Sequence, residues 1–558
     1  MPVLATLAVA VALTGWWLAV PPLGTDLSAQ VARADFFAAH GWTPIDFRWY
    51  GGVSPHGYSL LSPPLMAWFG PRPVGAVAAV GSALALVALL RRTGAVRPLL
   101  GGVLGVVCFT GNLVSGRVTF ALGIALALLA LLVLIMEWGS VGRWASVGRW
   151  ALAGLLAALA AAASPVAGLF VGLAGVAIAI DARLRRSRAP ADPGLPREAT
   201  SPEYAGGAPA PGFVGGAVLA AGAAVPIAVM AGWFGSGGWM NISRSDLVHA
   251  AVASLAVAAL VPRRVVRIGA LLSAAGVLTA YLVQTPVGLN ATRLATLLAL
   301  PLVAGYVTVP GWLRRRLGSH SPGAWRGAGV AALVVLLAAL AWWQPPVLRQ
   351  DLTSGGDPTA APGYFAPLAA ELAARSPAGR VEVVPTAHYW ESAYLNAPPL
   401  ARGWLRQVDL GQNPLFFDGT LDAESYRRWL VDTGVSYVAL ANAPESWVGR
   451  PEAELVRRGV PYLTVVWKSP DWTLYAVAGE PGIVQPPATL LSATADRVEF
   501  EATGPGTVAV KVRWSRWLAI SGPGQACLAQ AGDWTTVQVT EPGRFRITGS
   551  VTAPGPRC

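Results

Sequence analysis

Over its first 345 positions the chain runs in long apolar blocks, with no alternation that would set a wet face against a dry one. A helix that is hydrophobic all round needs an apolar environment on every side, and about 20 such residues cross a bilayer. Eleven blocks reach or approach that length: 3–20, 74–90, 98–115, 118–136, 149–164, 166–181, 213–233, 247–261, 268–286, 294–310 and 327–345. The two that meet at Ser164-Pro165 read as a tight hairpin or as one broken helix. Beyond residue 346 the pattern changes. Helix-like 366–374 and 423–433 alternate with strand-like 381–384, 435–440 and 462–467, which predicts an α/β domain over 346–480. After Glu480-Pro481-Gly482, short alternating runs at 498–502, 507–514, 535–540 and 544–548 predict a β-sandwich over 481–558.

Composition fits this division. Only 13% of the 558 residues are charged, against roughly a quarter in soluble proteins, which excludes an ordinary cytosolic enzyme and a disordered chain. The net charge of +12 belongs to the apolar part: residues 1–345 hold 23 basic and 9 acidic side chains, residues 346–558 hold 18 and 20. With the N-terminus placed in the cytoplasm, 17 of those 23 fall in inner loops and six outside: Arg33, Arg48, Arg72, Arg117, Arg244 and Arg293. This is the positive-inside asymmetry of a membrane protein, not the footprint of a nucleic-acid binder. Eleven crossings then put both C-terminal domains outside a bacterial plasma membrane, with 183–212 as a flexible inner linker. Cys108 lies in a span. Cys527 and Cys558 both fall in the external tail, where an oxidising compartment permits a disulfide.

Several chemistries lack their motifs. There is no GxxxxGK, HExxH, CxxC or GxSxG, so ATP-driven pumping, zinc proteolysis, thiol redox chemistry and serine hydrolysis have no support. Attention moves to the external charges. Of the nine acids in the membrane half, only Asp26, Asp35, Asp46 and Asp246 are external, and the first three share the long outer loop 21–73. Its aromatics, Phe36, Phe37, Trp42, Phe47, Trp49 and Tyr50, suit a loop lying on the bilayer surface. Asp26, at the mouth of the first span, is the leading candidate base; Asp35, Asp46, His40 and His56 are the loop's other candidates. The plain alternative makes Asp26 an N-cap for a helix over 27–40. Arg117, Arg244 and Arg293 sit at outer span ends, where a guanidinium can hold a lipid phosphate or simply reach the headgroups.

The stretches GTDLSAQ (24–30), RWYGG (48–52), SGRVTFALG (115–123), LNATRLATLLALPL (289–302), RGWLRQVDLGQNPLFFDG (402–419) and YRRWLVDTGVSYVAL (426–440), with SGPGQAC and DWTTV near the end, resemble a known family. The chain is similar to GT-C glycosyltransferases, and within them to actinobacterial YfhO-type (6-pyruvoyl-tetrahydropterin-synthase-related) membrane proteins. That resemblance implies a GT-C-like helical domain and Asp26 as the first-loop catalytic acid. It implies inverting transfer of sugar from a polyprenyl-phosphate donor to a cell-envelope glycan, lipid or protein, and leaves room for a divalent metal. The family's paired acidic motif is absent, because Leu27 follows Asp26.

The sequence thus describes a polytopic α-helical membrane protein of about 11 spans, followed by an extracytoplasmic α/β domain and a β-sandwich. Its expected activity is extracytoplasmic glycosyl transfer, with Arg117, Arg293 and Arg244 on the lipid phosphate. Trp49, Tyr50, Trp390, Glu391, Arg402, Trp404 and Arg406 are the candidates for holding sugar or acceptor. The rival readings are a transporter or lipid flippase, and a non-catalytic scaffold for envelope assembly.

Overall fold

The computed structural model describes residues 1–136, 143–186, 212–235, 237–308, 322–376 and 378–558, with backbone alone at 143–145 and 322–328. Most of the inner linker 183–212 lies outside the described residues.

Each of the eleven apolar blocks falls on a helix. The bundle is built from α1 (Pro2–Ala19), α4 (Pro71–Arg92), α5 (Pro98–Val114), α6 (Val118–Ile135), α7 (Arg143–Ala163) and α8 (Pro165–Arg186). It continues with α9 (Phe213–Phe234), α10 (Arg244–Leu260), α11 (Arg264–Leu282), α12 (Arg293–Tyr306) and α13 (Pro322–Trp343). Among the described residues eight helices are long and apolar enough to cross a membrane, and α5 is a shorter apolar helix. Small residues let these helices approach closely: a Cβ on Gly175 would strike the backbone of α9 at Gly216, and one on Gly216 would strike Gly175 in return.

The break at Ser164 is a hairpin. Gly168 on α8 lies directly against Ala161 on α7, so the two helices run back along each other from a one-residue turn. The last carbonyls of α7 have no helical partners. The outer loop supplies them: the Leu60 and Leu61 amides donate to the Ala162 carbonyl at 2.9 and 3.1 Å, and the Ser59 and Ser62 hydroxyls donate to the Ala163 carbonyl.

That outer loop folds as α2 (Leu27–His40), a short 3-10 turn Pro55–Gly57 and α3 (Ser62–Phe69). Most of the aromatics expected on a bilayer surface are turned into protein instead. Phe36, Phe47, Trp49 and Tyr50 are buried in protein, and Ile45 and Phe47 belong to the core of the β-sandwich. Of the six aromatics named above, Trp42 alone is well exposed, at 58%. The apolar residues that suggested a membrane surface are there to bind the chain's own C-terminal domains.

The α/β domain is a four-stranded mixed sheet of β1 (Arg380–Val383), β2 (Val435–Ala441), β3 (Leu463–Lys468) and β4 (Trp472–Val477), in the order β1-β2-β4-β3. β1 pairs with β2 in parallel and the other pairings are antiparallel. Its helix Ala423–Thr433 starts at a capping box on Asp422 and stops at left-handed Gly434, so its limits are those the sequence predicts. The sandwich packs β5 (Ala488–Ala493), β6 (Arg497–Ala502), β8 (Leu518–Ser521) and β11 (Gly543–Gly549) on one sheet. Against it lie β7 (Gly506–Arg513), β9 (Cys527–Ala531) and β10 (Trp534–Val539). Alternate residues such as Val498, Phe500, Val510, Val537 and Phe545 point into the core between them. Cys527 and Cys558 form a disulfide with Cα atoms 5.1 Å apart, while Cys108 is buried and free.

Candidate functional site

The site forms where the start of the outer loop crosses the turn between α5 and α6. Both strands of the crossing carry a glycine in the left-handed region, Gly24 at φ +81° and Gly116 at φ +77°. A side chain at Gly24 would collide with the Val114 carbonyl and Ser115, and one at Gly116 would collide with the Leu27 backbone. The crossing is sealed by the Asp26 amide, which donates to the Ser115 carbonyl at 3.2 Å. The Asn112 side chain donates to the Arg117 carbonyl at 3.2 Å and holds the turn that carries this arginine.

Three of the sequence candidates meet here. The Asp26 Oδ2 atom lies 3.4 Å from Arg117 Nε and 3.5 Å from a terminal nitrogen of Arg293. Arg117 precedes α6, and Arg293 opens α12 behind the 3-10 turn Gly288–Thr292. Asp26 occupies the N-cap position of α2, yet its side chain caps no amide. Its carboxylate faces the arginines instead, so the N-cap alternative does not describe it.

Other residues complete the surroundings. Arg33, two turns along α2, is buried with both terminal nitrogens lacking a hydrogen-bond partner among the described residues. Its guanidinium lies 3.7 Å from the Tyr58 ring centre and 5.3 Å from that of Trp404. Burial lowers its pKa, against the pull of Tyr58, Asp26 and Asp46. Trp404 donates its indole N–H to the Thr25 carbonyl at 2.8 Å, next to Asp26. A second carboxylate comes from the tail, where Asp351 accepts from the Ser115 hydroxyl. Burial lifts Asp351 above the usual carboxylate range, although the Ser115 hydrogen bond and the Arg117 charge oppose this. Beyond it, His388 stands 3.7 Å from Asp357, and burial pulls the imidazole below its ordinary pKa.

Beneath the arginines lies an apolar cavity of about 260 Å³ between helices of the bundle. It begins beside Leu294 and Ala295, the residues that follow Arg293, and its walls include Ile124, Leu128 and Phe170. The Arg293 guanidinium sits 5.3 Å from the Phe120 ring, which is edge-on to Phe170. The cluster as a whole holds three guanidinium groups around Asp26, so its electrostatic demand is for a further anion. A divalent metal does not fit it. Asp26 already faces two cations, and among the described residues no group of three His, Cys, Asp or Glu side chains is placed to hold an ion.

The other candidates lie apart from this cluster. Arg244 is exposed at the start of α10 and makes no ion pair with Asp26. Asp35 is on the exposed side of α2. Asp46 is buried in a bidentate clamp on Arg48, with contacts of 3.0 and 2.8 Å, and Arg48 in turn holds Asn396 and the Ala32 carbonyl. That makes Asp46 a fastener between loop and domain, unavailable as a base. His40 pairs loosely with Asp496, at 3.9 Å. His56 is buried against Trp42 and Phe234, and burial lowers its pKa.

Most of the expected sugar-binding set is corrected in the same way. Trp49 is packed on Gly403, and the Tyr50 hydroxyl donates to the Gly403 carbonyl at 2.7 Å. Trp390 stacks on Tyr394, and Glu391 is buried with the Thr386 hydroxyl. Arg402 is sealed in the α/β core between Glu382, Glu452 and Asp409. These five side chains are closed to a ligand because each is buried in protein. Trp404 and Arg406 remain partly open, the first beside Asp26 and the second over Trp447.

Sequence reasoning missed Arg33, Tyr58, Ser115 and Asp351. The spacing of seven residues between Asp26 and Arg33 was a usable sign, since it returns a helix to nearly the same face. Asp351 gave no local sign, because its place depends on the chain passing over α5, where the Pro346 carbonyl rests on side-chain-free Gly111.

No protein-family model matches the chain, and no curated protein matches it. Among solved structures it is similar over 98% of its length to the arabinofuranosyltransferase AftD from mycobacteria, at 16% identity and a TM-score of 0.44. It is similar over 86% of its length to ArnT from Cupriavidus metallidurans bound to undecaprenyl phosphate, at 14% identity and a TM-score of 0.43, covering 99% of that chain. The present chain spans only 60% of the length of the AftD chain it aligns with. Likeness at this level transfers no residue, and the chemistry of the site stands on its own geometry.

Proposed function

We propose that this protein is an extracytoplasmic glycosyltransferase of the GT-C type, moving a sugar with inversion from a polyprenyl-phosphate donor to a cell-envelope acceptor. The observation that carries the reading is one carboxylate shared by two arginines at the starts of α6 and α12, helices whose following turns wall an apolar cavity. An amphiphile with an anionic head and a hydrocarbon tail satisfies both parts at once. The end of the bundle bearing the site faces outward in this reading. Arg91, Arg92, Arg97, Arg183, Arg263 and Arg264 lie at the opposite ends of their helices, as the positive-inside asymmetry asks.

In the mechanism the donor phosphate enters between Arg117 and Arg293 and replaces Asp26 as their counter-ion. Released from them, the Asp26 carboxylate takes the proton of the acceptor hydroxyl. That oxygen attacks the anomeric carbon from the side away from the phosphate, and the bond from this carbon to the phosphate oxygen breaks with its electrons left on the phosphate. The two guanidinium groups are already in position for the charge that develops there. Arg33 adds a third positive charge near the same carboxylate, and the tail residues Asp351 and Trp404 cover the crossing from outside.

The test is transfer of radiolabelled sugar from a panel of polyprenyl-phosphate donors to cell-envelope acceptors by the purified protein. Asp26→Asn should lower transfer by roughly 10²–10⁴-fold, the range for losing a general base, while exposed Arg244→Ala should leave it within a factor of about two. Wild-type rates in Asp26→Asn would sink the mechanism.

A further inference from the structure

A second cavity, of about 450 Å³, opens where four parts of the molecule meet. Its walls come from the outer loop, the end of α9, the α/β domain and the sandwich segment 513–517. The volume lies within the range of small-ligand sites, ~300–1,000 Å³. Its lining has three properties that together select a ligand. First, among the described residues it contains no carboxylate, histidine or lysine. Its two arginines are already occupied, Arg513 by Asp533 at 2.6 Å and Arg516 by the Gly232 and Trp233 carbonyls. Second, its other polar side chains are uncharged hydroxyls and amides: Ser54, Gln407, Gln412 and Ser515. Hydroxyls and amides both give and accept hydrogen bonds, so this lining suits a ligand rich in both donors and acceptors. Third, the rim is aromatic. Trp517 lies 6.3 Å from Trp233 and 6.1 Å from Phe234, and Trp233 is 54% exposed.

We infer that this cavity binds a neutral glycan, and that it presents the acceptor to the Asp26 cluster. The inference rests on the proposed transferase reading and supplies its acceptor class. Neutral sugars carry hydroxyls that give and accept hydrogen bonds and flat C–H faces that lie on indole rings. The cavity also adjoins the chemistry. Tyr58 lines it, and the other side of that residue is Arg33 at 3.7 Å and Trp404, which holds the backbone beside Asp26. Tyr58 is thus shared between the cavity wall and the surroundings of Asp26.

The experiment is calorimetric titration of the full chain in nanodiscs with neutral hexose and pentose trisaccharides, a uronate-containing trisaccharide and an unrelated tripeptide. Polyprenyl-phosphate binding is measured in parallel. Neutral trisaccharide should bind, Ser54→Trp should weaken it at least about tenfold by filling the cavity, and Gln412→Ala should weaken it several-fold. Both variants should keep wild-type polyprenyl-phosphate binding, which shows that they are folded. Absence of neutral-glycan binding, preference for the uronate or the tripeptide, or unchanged affinity in both variants would overturn the inference. Any of these with polyprenyl-phosphate binding intact leaves the transferase reading standing. Glycan binding without sugar transfer from any donor strikes that reading alone.

Discussion

The molecule contains two arginine–carboxylate clusters of opposite construction. Around Asp26, one carboxylate is divided between Arg117 and Arg293 at 3.4 and 3.5 Å, and these side chains keep some contact with solvent. Around Arg402, one guanidinium faces Glu382, Glu452 and Asp409, with bonds of 2.9 and 2.7 Å to Glu382, and nothing reaches water. The Phe416 ring closes the remaining side, 3.6 Å from the guanidinium. The first cluster has surplus positive charge, long contacts and unfilled donors, the condition of a site whose partner arrives from elsewhere. The second has more carboxylates than guanidinium groups, short contacts to Glu382 and Glu452 with a longer one of 3.9 Å to Asp409, and no opening. Burial pushes Glu382 well above the ordinary carboxylate range and raises Glu452, while its carboxylate neighbours, outweighing burial, raise Arg402. A list of charged residues cannot separate these cases. Stoichiometry and closure can.

The sharpest way to break this contrast is to remove the paired arginines. Arg117→Ala with Arg293→Ala should lower sugar transfer by at least about 10²–10³-fold in steady-state assays, with the melting temperature little changed. A rate within tenfold of wild type would make the first cluster structural, like the second. Next in size, Arg402→Met should cost roughly 3–5 kcal/mol of stability, since it strands three buried carboxylates, and should show as a large drop in thermal midpoint. An unchanged midpoint would erase the distinction from the other side. A third effect, felt through pH, comes from Glu391, a neighbour of that core. Burial raises its pKa to about 8 in the folded protein, above its ordinary value, so the folded state holds a proton that the unfolded chain gives up. Its contribution to stability is complete below about pH 4.5 and is lost progressively up to about pH 8. Glu391→Gln should therefore flatten the fall in melting temperature between pH 5 and 8, and an unaltered slope would refute the assignment.

Much of this was legible in the sequence, for identifiable reasons. Helices apolar on all sides announce themselves by length, and the limits of Ala423–Thr433 follow from local signals at its ends. The convergence of Asp26, Arg117 and Arg293 could be expected because charges at the outer ends of spans have few places to go. The sugar-binding expectation failed because Trp390, Glu391 and Arg402 have the composition of a lectin site and the burial of a core, and burial is a tertiary property. Strand β8, of four residues, is too short for its alternation to stand out. Asp351 was out of reach altogether, as its neighbour Ser115 lies 236 positions earlier.

The fastening of the outer loop carries a consequence for biosynthesis. Residues 21–73 leave the ribosome before several partners that fix them: the α7 terminus, Ser354 on the Gly24 amide, Trp404 on Thr25, and the sandwich strands that enclose Ile45 and Phe47. Domains fold largely in the order of synthesis, but this loop cannot. A segment made almost first thus gains its full set of contacts only when the last domain has been made.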